Sequence, residues 1–372
     1  MAFITSYFPD VGGAEVALRQ VARRLSGDFE FIIVTARRRR ERRAEETADE
    51  GRIWRLGLGS VLDKWCLPAL APQLIRRLTR EQGSGGKMIL WGVDITQASL
   101  LASLVGRNNP RLPLILTIQY GEGPGRLASG RLGLISLSFR HMLRHARHVT
   151  AVSTSLLEAA RRYGYVGPAT RIPNGVDLDP FCRPDGMPAP EKPTIITVSR
   201  LVAKNGIDTL IRAMPLLSRR FPSIECRVLG DGPARRRLEH LASDLGVAEA
   251  VRFCGMVPHE DIPQHLWGSQ VFVRPSRSEG LGNAFIEALA AGLPIVGTRV
   301  GGIPDILTDG ETGLFARGDD PADLAEKIGV LLADKGLAGR LAAQGMAMVR
   351  ARYDADVVAG MYADVFREAL EG

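Results

Sequence analysis

Four cysteines in 372 residues is little, and Cys66, Cys182, Cys226 and Cys254 stand far apart with no C-x-x-C spacing. That scatter excludes a disulfide framework and argues against structural zinc. Long apolar runs are missing too. None reaches the roughly 18 residues that a membrane span needs, and no secretory leader pattern opens the chain. Aromatic residues make up 6% of the chain, and none interrupts the arginine run at 37–43 to stack on a base. With no RRM, KH or helix-turn-helix pattern either, nucleic acid is not an expected partner. The absence of a G-x-G-x-x-G removes nicotinamide and flavin dinucleotides. Gly83-Ser84-Gly85-Gly86-Lys87 imitates a phosphate loop but fails on spacing, because the first glycine of that motif would fall at Glu81. It fails on order as well, since the strand follows the glycines.

What is present is an ordinary globular composition, 45% hydrophobic and 24% charged, with a net charge of +7 that invites an anionic partner. At about 150 residues per domain the length suggests two domains. A strand at 2–5 and a helix carrying Val16, Leu18, Val21 and Leu25 open the chain, and 29–35 reads as a buried strand. From residue 68 helical and extended patterns alternate, the mark of crossovers onto a parallel sheet. Residues 179–193 hold five prolines and few apolar side chains, so they read as a linker between domains at 1–178 and 194–352.

The stretch 271–305 carries the most chemistry. An apolar strand at 271–273 runs into a turn that delivers Gly280, Leu281 and Gly282 just before a helix beginning near Asn283. The open amides and positive dipole end of such a helix suit a phosphate, and glycine lets it approach the backbone. Glu279 and Glu287 bracket the turn, with Glu287 on the same helix side as Asn283, and neither reads as a core residue. A glycine turn before a helix is also, very often, only a turn.

Other strand ends repeat the theme. Gly12 and Gly13 follow the first strand; Gln119 opens a glycine-rich loop, 119–125; Arg200, Lys204 and Asn205 follow the strand 194–198; and Gly230 and Gly232 follow 226–229. Each is equally readable as a turn or as surface charge. His141, His145 and His148 lie among Arg140, Arg144 and Arg147, a neighbourhood that would repel a dication. Six arginines occupy 37–43, with Glu45, Glu46, Asp49 and Glu50 close behind. That segment is either a solvated loop of mixed charge or a patch for anionic lipid.

The string S-E-G-L-G-N-x-x-x-E-A-L-A-x-G-x-P-I-V, followed by V-G-G-I-P-D, resembles the nucleotide-sugar site of retaining glycosyltransferases of family four. Further likenesses are G-G-A-E at 12–15, I-P-N-G-V-D at 172–177 and R-L-V at 200–202. The resemblance implies an α/β GT-B fold, two Rossmann-like parallel-sheet domains facing across a cleft, with a last helix at 353–372 crossing back to the first domain. It implies that Glu287 binds the donor ribose, that Glu279 lies near the diphosphate and the sugar, and that Arg200 grips the diphosphate. Gly12, Gly13, Lys204, Asn205, Gly230, Gly232, Gly280, Leu281, Gly282 and Asn283 would line the donor site. The chain departs from the family in two places. Asn205 stands where a lysine is usual, leaving Lys204 as the nearest cation, and Gln119 stands where a histidine is common.

The implied activity is transfer of a hexose, with retention, from a nucleoside-diphosphate sugar to a glycan or lipid-linked acceptor in glycan, lipopolysaccharide or glycolipid biosynthesis. Arg200, Lys204, Glu279 and Gln119 are the candidate catalytic residues. No D-x-D motif lies at a strand end, so neither metal nor cofactor is expected. The expected location is cytoplasmic, with peripheral contact to an anionic membrane. Two rivals stay open: an epimerase or phosphorylase on the same fold, and a non-catalytic basic protein that binds anionic lipid.

Overall fold

The computed structural model describes residues 1–8, 12–70, 73–74, 77, 87–109, 111–119, 121, 133–184, 186–188 and 190–371. Two compact units emerge, Met1–Gly175 with Ala355–Gly372, and Val176–Asp354.

The first unit is built on β1 (Ala2–Phe3), β2 (Ile32–Ala36), β3 (Glu45–Ala48), β4 (Gly51–Leu56), β5 (Leu90–Val93), β6 (Leu114–Ile118), β7 (His148–Ala151) and β8 (Ala169–Arg171). Among the described residues these form one sheet in the order β3-β4-β2-β1-β5-β6-β7-β8. All pairs are parallel except β3 with β4. The central strands are buried along their whole length and mostly apolar, as strands covered by helices on both faces must be.

The helix Ala355–Glu371 belongs to this unit because of its apolar stripe. Val358, Tyr362, Phe366 and Ala369 recur at helical spacing and are buried. The Tyr362 and Phe366 rings lie 5.0 and 5.2 Å from that of Trp91 in β5. Three buried aromatic and branched side chains, with Ala369, on one helix face bind the chain's end firmly, at about 1.5–3 kcal/mol for each large apolar side chain removed from water.

The second unit holds β9 (Thr194–Val198), β10 (Glu225–Leu229), β11 (Val251–Gly255), β12 (Val271–Arg274), β13 (Ile295–Thr298) and β14 (Gly313–Ala316). Its sheet runs β11-β10-β9-β12-β13-β14, wholly parallel. Strand order reverses between β9 and β12. Such a reversal opens a crevice at the carboxyl ends of the two strands, where doubly wound sheets take their ligands.

The proline-rich stretch 179–193 lies within the second unit instead of standing between the two. Phe181 is the reason. It is 1% exposed, and its carbonyl accepts the Trp267 indole N–H at 2.8 Å.

Candidate active site

The residues singled out at 200–205, 230–232 and 279–287 all sit on loops or helix starts at the carboxyl ends of β9, β10 and β12. The β9 loop is fastened to the β10 turn by backbone bonds. Ser199 donates to Leu229 at 2.9 Å, Leu201 to Asp231 at 2.9 Å and Ala234 to Leu201 at 3.0 Å. This contact requires glycine at 230, where a Cβ would fall 2.0 Å from the Ser199 carbonyl oxygen. Gly232 packs as closely on Leu201. Gly230 and Gly232 therefore shape the loop that carries Arg200. Arg200 itself is exposed and forms no ion pair among the described residues, so its charge is open to an anion.

The β12 loop is fastened to the same β9 loop from the other side. The Lys204 carbonyl accepts the amide of Arg277 at 2.7 Å. The Arg277 guanidinium donates to both carboxylate oxygens of Asp208 at 2.8 Å, to the Ala203 carbonyl at 2.6 Å and to Asp319 at 2.7 Å. Burial alone would raise the pKa of Asp208, yet these bonds outweigh it and hold Asp208 below its ordinary value. Lys204 is half-buried within this frame.

Asn205 differs from the expectation that it contacts the donor. It is 2% exposed, and both ends of its amide are engaged inside the protein. Nδ2 donates to the Arg200 carbonyl at 2.6 Å, while Oδ1 accepts from Arg274 at 3.3 Å. Its part is to set the shape of the Arg200 loop.

Arg274, which the sequence reading left outside the strand 271–273 and which in fact ends β12, is the hub. Its Nη2 reaches Glu279 Oε2 at 2.5 Å, and each side chain is 10% exposed. The other Glu279 oxygen accepts the Gly280 amide at 3.2 Å. Glu279 is thereby held in one orientation at the mouth of the turn. Its backbone carbonyl also accepts the Gly302 amide at 3.3 Å, which brings the V-G-G-I-P-D segment against it.

The turn ends at Gly282, whose φ of +91° is left-handed and is costly for any residue with a Cβ. Helix Asn283–Ala290 follows, and its N-cap, Gly282, has no side chain with which to cap the first turn. Phe285, Ile286 and Leu289 fill the core, and Leu281 is buried beside them. Asn283 is half-buried at the helix start. Glu287 is only 8% exposed, more buried than the sequence suggested. Its Oε1 accepts a bond from His259 Nε2 at 3.2 Å, and that bond, with the carboxylate's charge, raises the histidine's pKa. His259 stacks edge-on against Phe181 at 5.5 Å. Neither partner was visible in the sequence. His259 lies 28 residues from Glu287, in an unremarked P-H-E-D turn.

In the first unit, Gly12 precedes the helix Gly13–Arg24, and a Cβ there would fall 2.8 Å from a Glu15 carboxylate oxygen. The other Glu15 oxygen accepts from Ser6 at 2.6 Å. Gln119 follows β6 directly and is half-buried. Of the loop 119–125 only Gln119 and Gly121 are among the described residues, and of 83–87 only Lys87. Asp94, at the end of β5, was not foreseen; it holds a φ of +64°, a conformation rare outside glycine. His145 Nδ1 lies 2.8 Å from the His141 carbonyl, and His148 bonds Thr170 at 2.9 Å. Among the described residues no group of three His, Cys, Asp or Glu side chains is placed to hold a metal.

Two family models match the chain, Glycosyltransferase Family 4 over residues 11–180 and Glycosyl transferases group 1 over residues 183–348. A GDP-mannose-dependent alpha-(1-6)-phosphatidylinositol monomannoside mannosyltransferase of Mycolicibacterium smegmatis is 34% identical over 292 residues, 74% of each chain. The enzyme of the same name from Mycobacterium tuberculosis is 36% identical over 226 residues, 56% of this chain and 58% of its own. Among solved structures, sucrose-phosphate synthase from Thermosynechococcus elongatus superposes with a TM-score of 0.82 at 23% identity, covering 98% of this chain and 95% of its own. The parallel sheets, the loops gathered at their carboxyl ends and these matches lead to one conclusion: the chain belongs to glycosyltransferase family four and has the GT-B fold.

Proposed function

We propose that the protein transfers a sugar, with retention of anomeric configuration, from a nucleoside-diphosphate sugar to a lipid-linked acceptor. The observation that carries this reading is the switch point of the second sheet. There Arg200, exposed and in no ion pair among the described residues, and the half-buried helix start after Gly282 lie at strand ends with two carboxylates, Glu279 and Glu287, that are held in place by other side chains. The arginine and the helix amides suit a diphosphate, and a fixed carboxylate suits a pair of ribose hydroxyls.

In the reaction the bond from the anomeric carbon to the diphosphate oxygen breaks, and the acceptor hydroxyl forms a bond on the same face of the sugar. Its proton passes to the departing diphosphate. Arg200 and Lys204, with the amides at 282–284, stabilise the charge that grows on that leaving group. Glu279 positions the sugar, and Gln119 contributes a hydrogen bond without a titratable proton. This arrangement supplies positive charge from the protein itself, so the reaction needs no metal. The lipid-linked acceptor rests on the mannosyltransferases named above, whose acceptor is a phosphatidylinositol mannoside.

The test is a thermal-shift panel of UDP, GDP and ADP with their hexose conjugates. A ligand at 100 times its dissociation constant adds about 2.7 kcal/mol of stability. One nucleotide class should stabilise the protein, Glu287→Ala should clearly reduce the shift, and turnover should survive EDTA with a product that keeps the donor's configuration. Absence of a shift with every nucleotide would overturn the donor assignment. Loss of activity in EDTA, restored by magnesium, would overturn the metal-free mechanism.

A further inference from the structure

At one edge of the first sheet two loops meet. The arginine run leaves β2, the loop 57–66 leaves β4, and these strands pair through Ala36 and Leu56. The Arg37 amide donates to the Leu56 carbonyl at 2.7 Å, and Gly59 lies so close to Arg40 that a Cβ would fall 2.6 Å from its Cα. They form one surface. The second loop is built to hold its shape, with Asp63 accepting the amides of Gly59 and Ser60 at 2.7 and 3.0 Å. Yet it turns its large apolar side chains outward: Leu58 is 83% exposed, Val61 59%, Leu62 67% and Trp65 43%.

The acids that follow the arginine run do not neutralise it. Glu45 pairs with Arg77 at 2.9 Å, Glu46 with Arg55 at 2.6 Å and Asp49 with Arg23 at 2.8 Å, while Glu50 accepts from Tyr7 at 2.9 Å and faces Arg19 and Arg23. Arg37 turns its guanidinium onto the carbonyls of Arg40 and Arg42. Arg39, Arg40, Arg42 and Arg43 remain exposed and form no ion pair among the described residues, with only Glu41 between them.

We propose that this surface docks on an anionic lipid bilayer. Leu58, Val61, Leu62 and Trp65 enter the interfacial layer, and the four arginines lie among the phosphate headgroups. Charge chooses the partner, because exposed apolar side chains alone would suit any hydrophobic surface, whereas four unpaired guanidiniums beside them suit one that is both apolar and negative. A tryptophan at the rim suits the same depth. The two loops leave the carboxyl ends of their strands, the end of the sheet that also bears Gly12 and Gln119. A lipid-borne acceptor held there would be presented to that face. The inference deepens the lipid-acceptor part of the proposed function but is tested apart from it, since binding to vesicles requires neither donor nor acceptor.

The experiment is sedimentation of the full chain with vesicles of phosphatidylcholine alone or with phosphatidylglycerol at about one lipid in three, at low and high salt. Each arginine near an anionic surface is worth about a fivefold change in partitioning. Replacing Arg39, Arg40, Arg42 and Arg43 by serine should therefore lower binding to the mixed vesicles by about 100-fold or more. Wild-type binding should fall steeply as the screening length drops from about 10 Å at 0.1 M salt to about 3 Å at 1 M. A second variant, Leu58→Ser with Leu62→Ser and Trp65→Ser, should weaken binding at both salt concentrations. Equal partitioning of the wild type onto neutral and mixed vesicles overturns the proposal. So does an apolar-loop variant that binds as the wild type does, which would mark plain attraction between charges. The wild-type salt series needs no variant, and unchanged melting of both variants verifies their folding.

Discussion

The pair formed by Arg274 and Glu279 offers the sharpest test of how the second unit's loops are held. Both side chains are 10% exposed, and they meet at 2.5 Å. Arg274 also donates to Asn205, whose amide in turn holds the Arg200 carbonyl. Replacing Arg274 with methionine keeps most of the side chain's volume but leaves Glu279 as a buried carboxylate facing an apolar group. Breaking a buried pair from one side costs about 3–5 kcal/mol. For a unit of this size each kcal/mol lowers the melting temperature by about 2–4 °C, so the expected drop is about 6–20 °C.

A control separates the buried charge from the lost packing. Adding Glu279→Met to Arg274→Met removes the stranded carboxylate, and apolar replacement of both partners is often neutral or stabilising. The double variant should therefore recover most of the stability at pH 7. Donor affinity should not recover, because Glu279 itself is gone and the Arg200 loop has lost the bond through Asn205. Thermal melting, with nucleotide titration of each variant, reads both quantities. A single variant within about 1 kcal/mol of the wild type would refute the reasoning, as would a double variant no more stable than the single one.

Three further outcomes follow from the site. Glu287→Ala should weaken nucleotide binding by about 1.5–3 kcal/mol, the value of a hydrogen bond to a charged group, as measured by calorimetry, with the fold intact. His259 has its pKa raised above the ordinary 6.5 by its bond to Glu287. The stability that this pair contributes is thus fully present below pH 6.5 and is lost as pH rises through the raised value; melting between pH 6 and 8 should show that loss in the wild type and not in His259→Ala. Gln119→His should stay active and gain an ionisation between about pH 6 and 7 in its rate profile, whereas Gln119→Ala should lose rate with nucleotide affinity little changed.

Much of the second unit was legible in the sequence because its signals are local. Gly282 needs a left-handed φ one residue before the helix, and the apolar run 271–273 supplies all but the last residue of the strand before it, so turn, helix and strand could be read from adjacent letters. The side chains that hold the acids were not legible. Arg274 ends a strand and looks like its last surface charge, but the Glu279 that it pairs with is placed by a turn whose path no residue count predicts. His259 follows β11 and Glu287 lies on the helix that follows β12, and these strands, consecutive in the chain, are separated in the sheet by β10 and β9. Sequence distance gives no hint of that. Asn205 failed for a related reason: a polar residue at a strand end is as well suited to bonding the backbone beside it as to bonding a ligand, and here the carbonyl of Arg200 was nearer.

The arginine run carries the same lesson about charge. Read along the chain, Glu45, Glu46, Asp49 and Glu50 follow it closely enough to make a mixed-charge loop. In the fold, Glu45 and Glu46 lie on β3, which turns back antiparallel along β4, and this hairpin presents them to Arg77 and Arg55. Asp49 and Glu50, at the hairpin's end, meet arginines of the helix Gly13–Arg24. A carboxylate offsets a cation only within a few ångströms, because water and salt screen the rest. Near-neutrality over the residues 37–50, six arginines against five acids, thus coexists with an unneutralised surface of four arginines in space, and it is the surface that a partner meets.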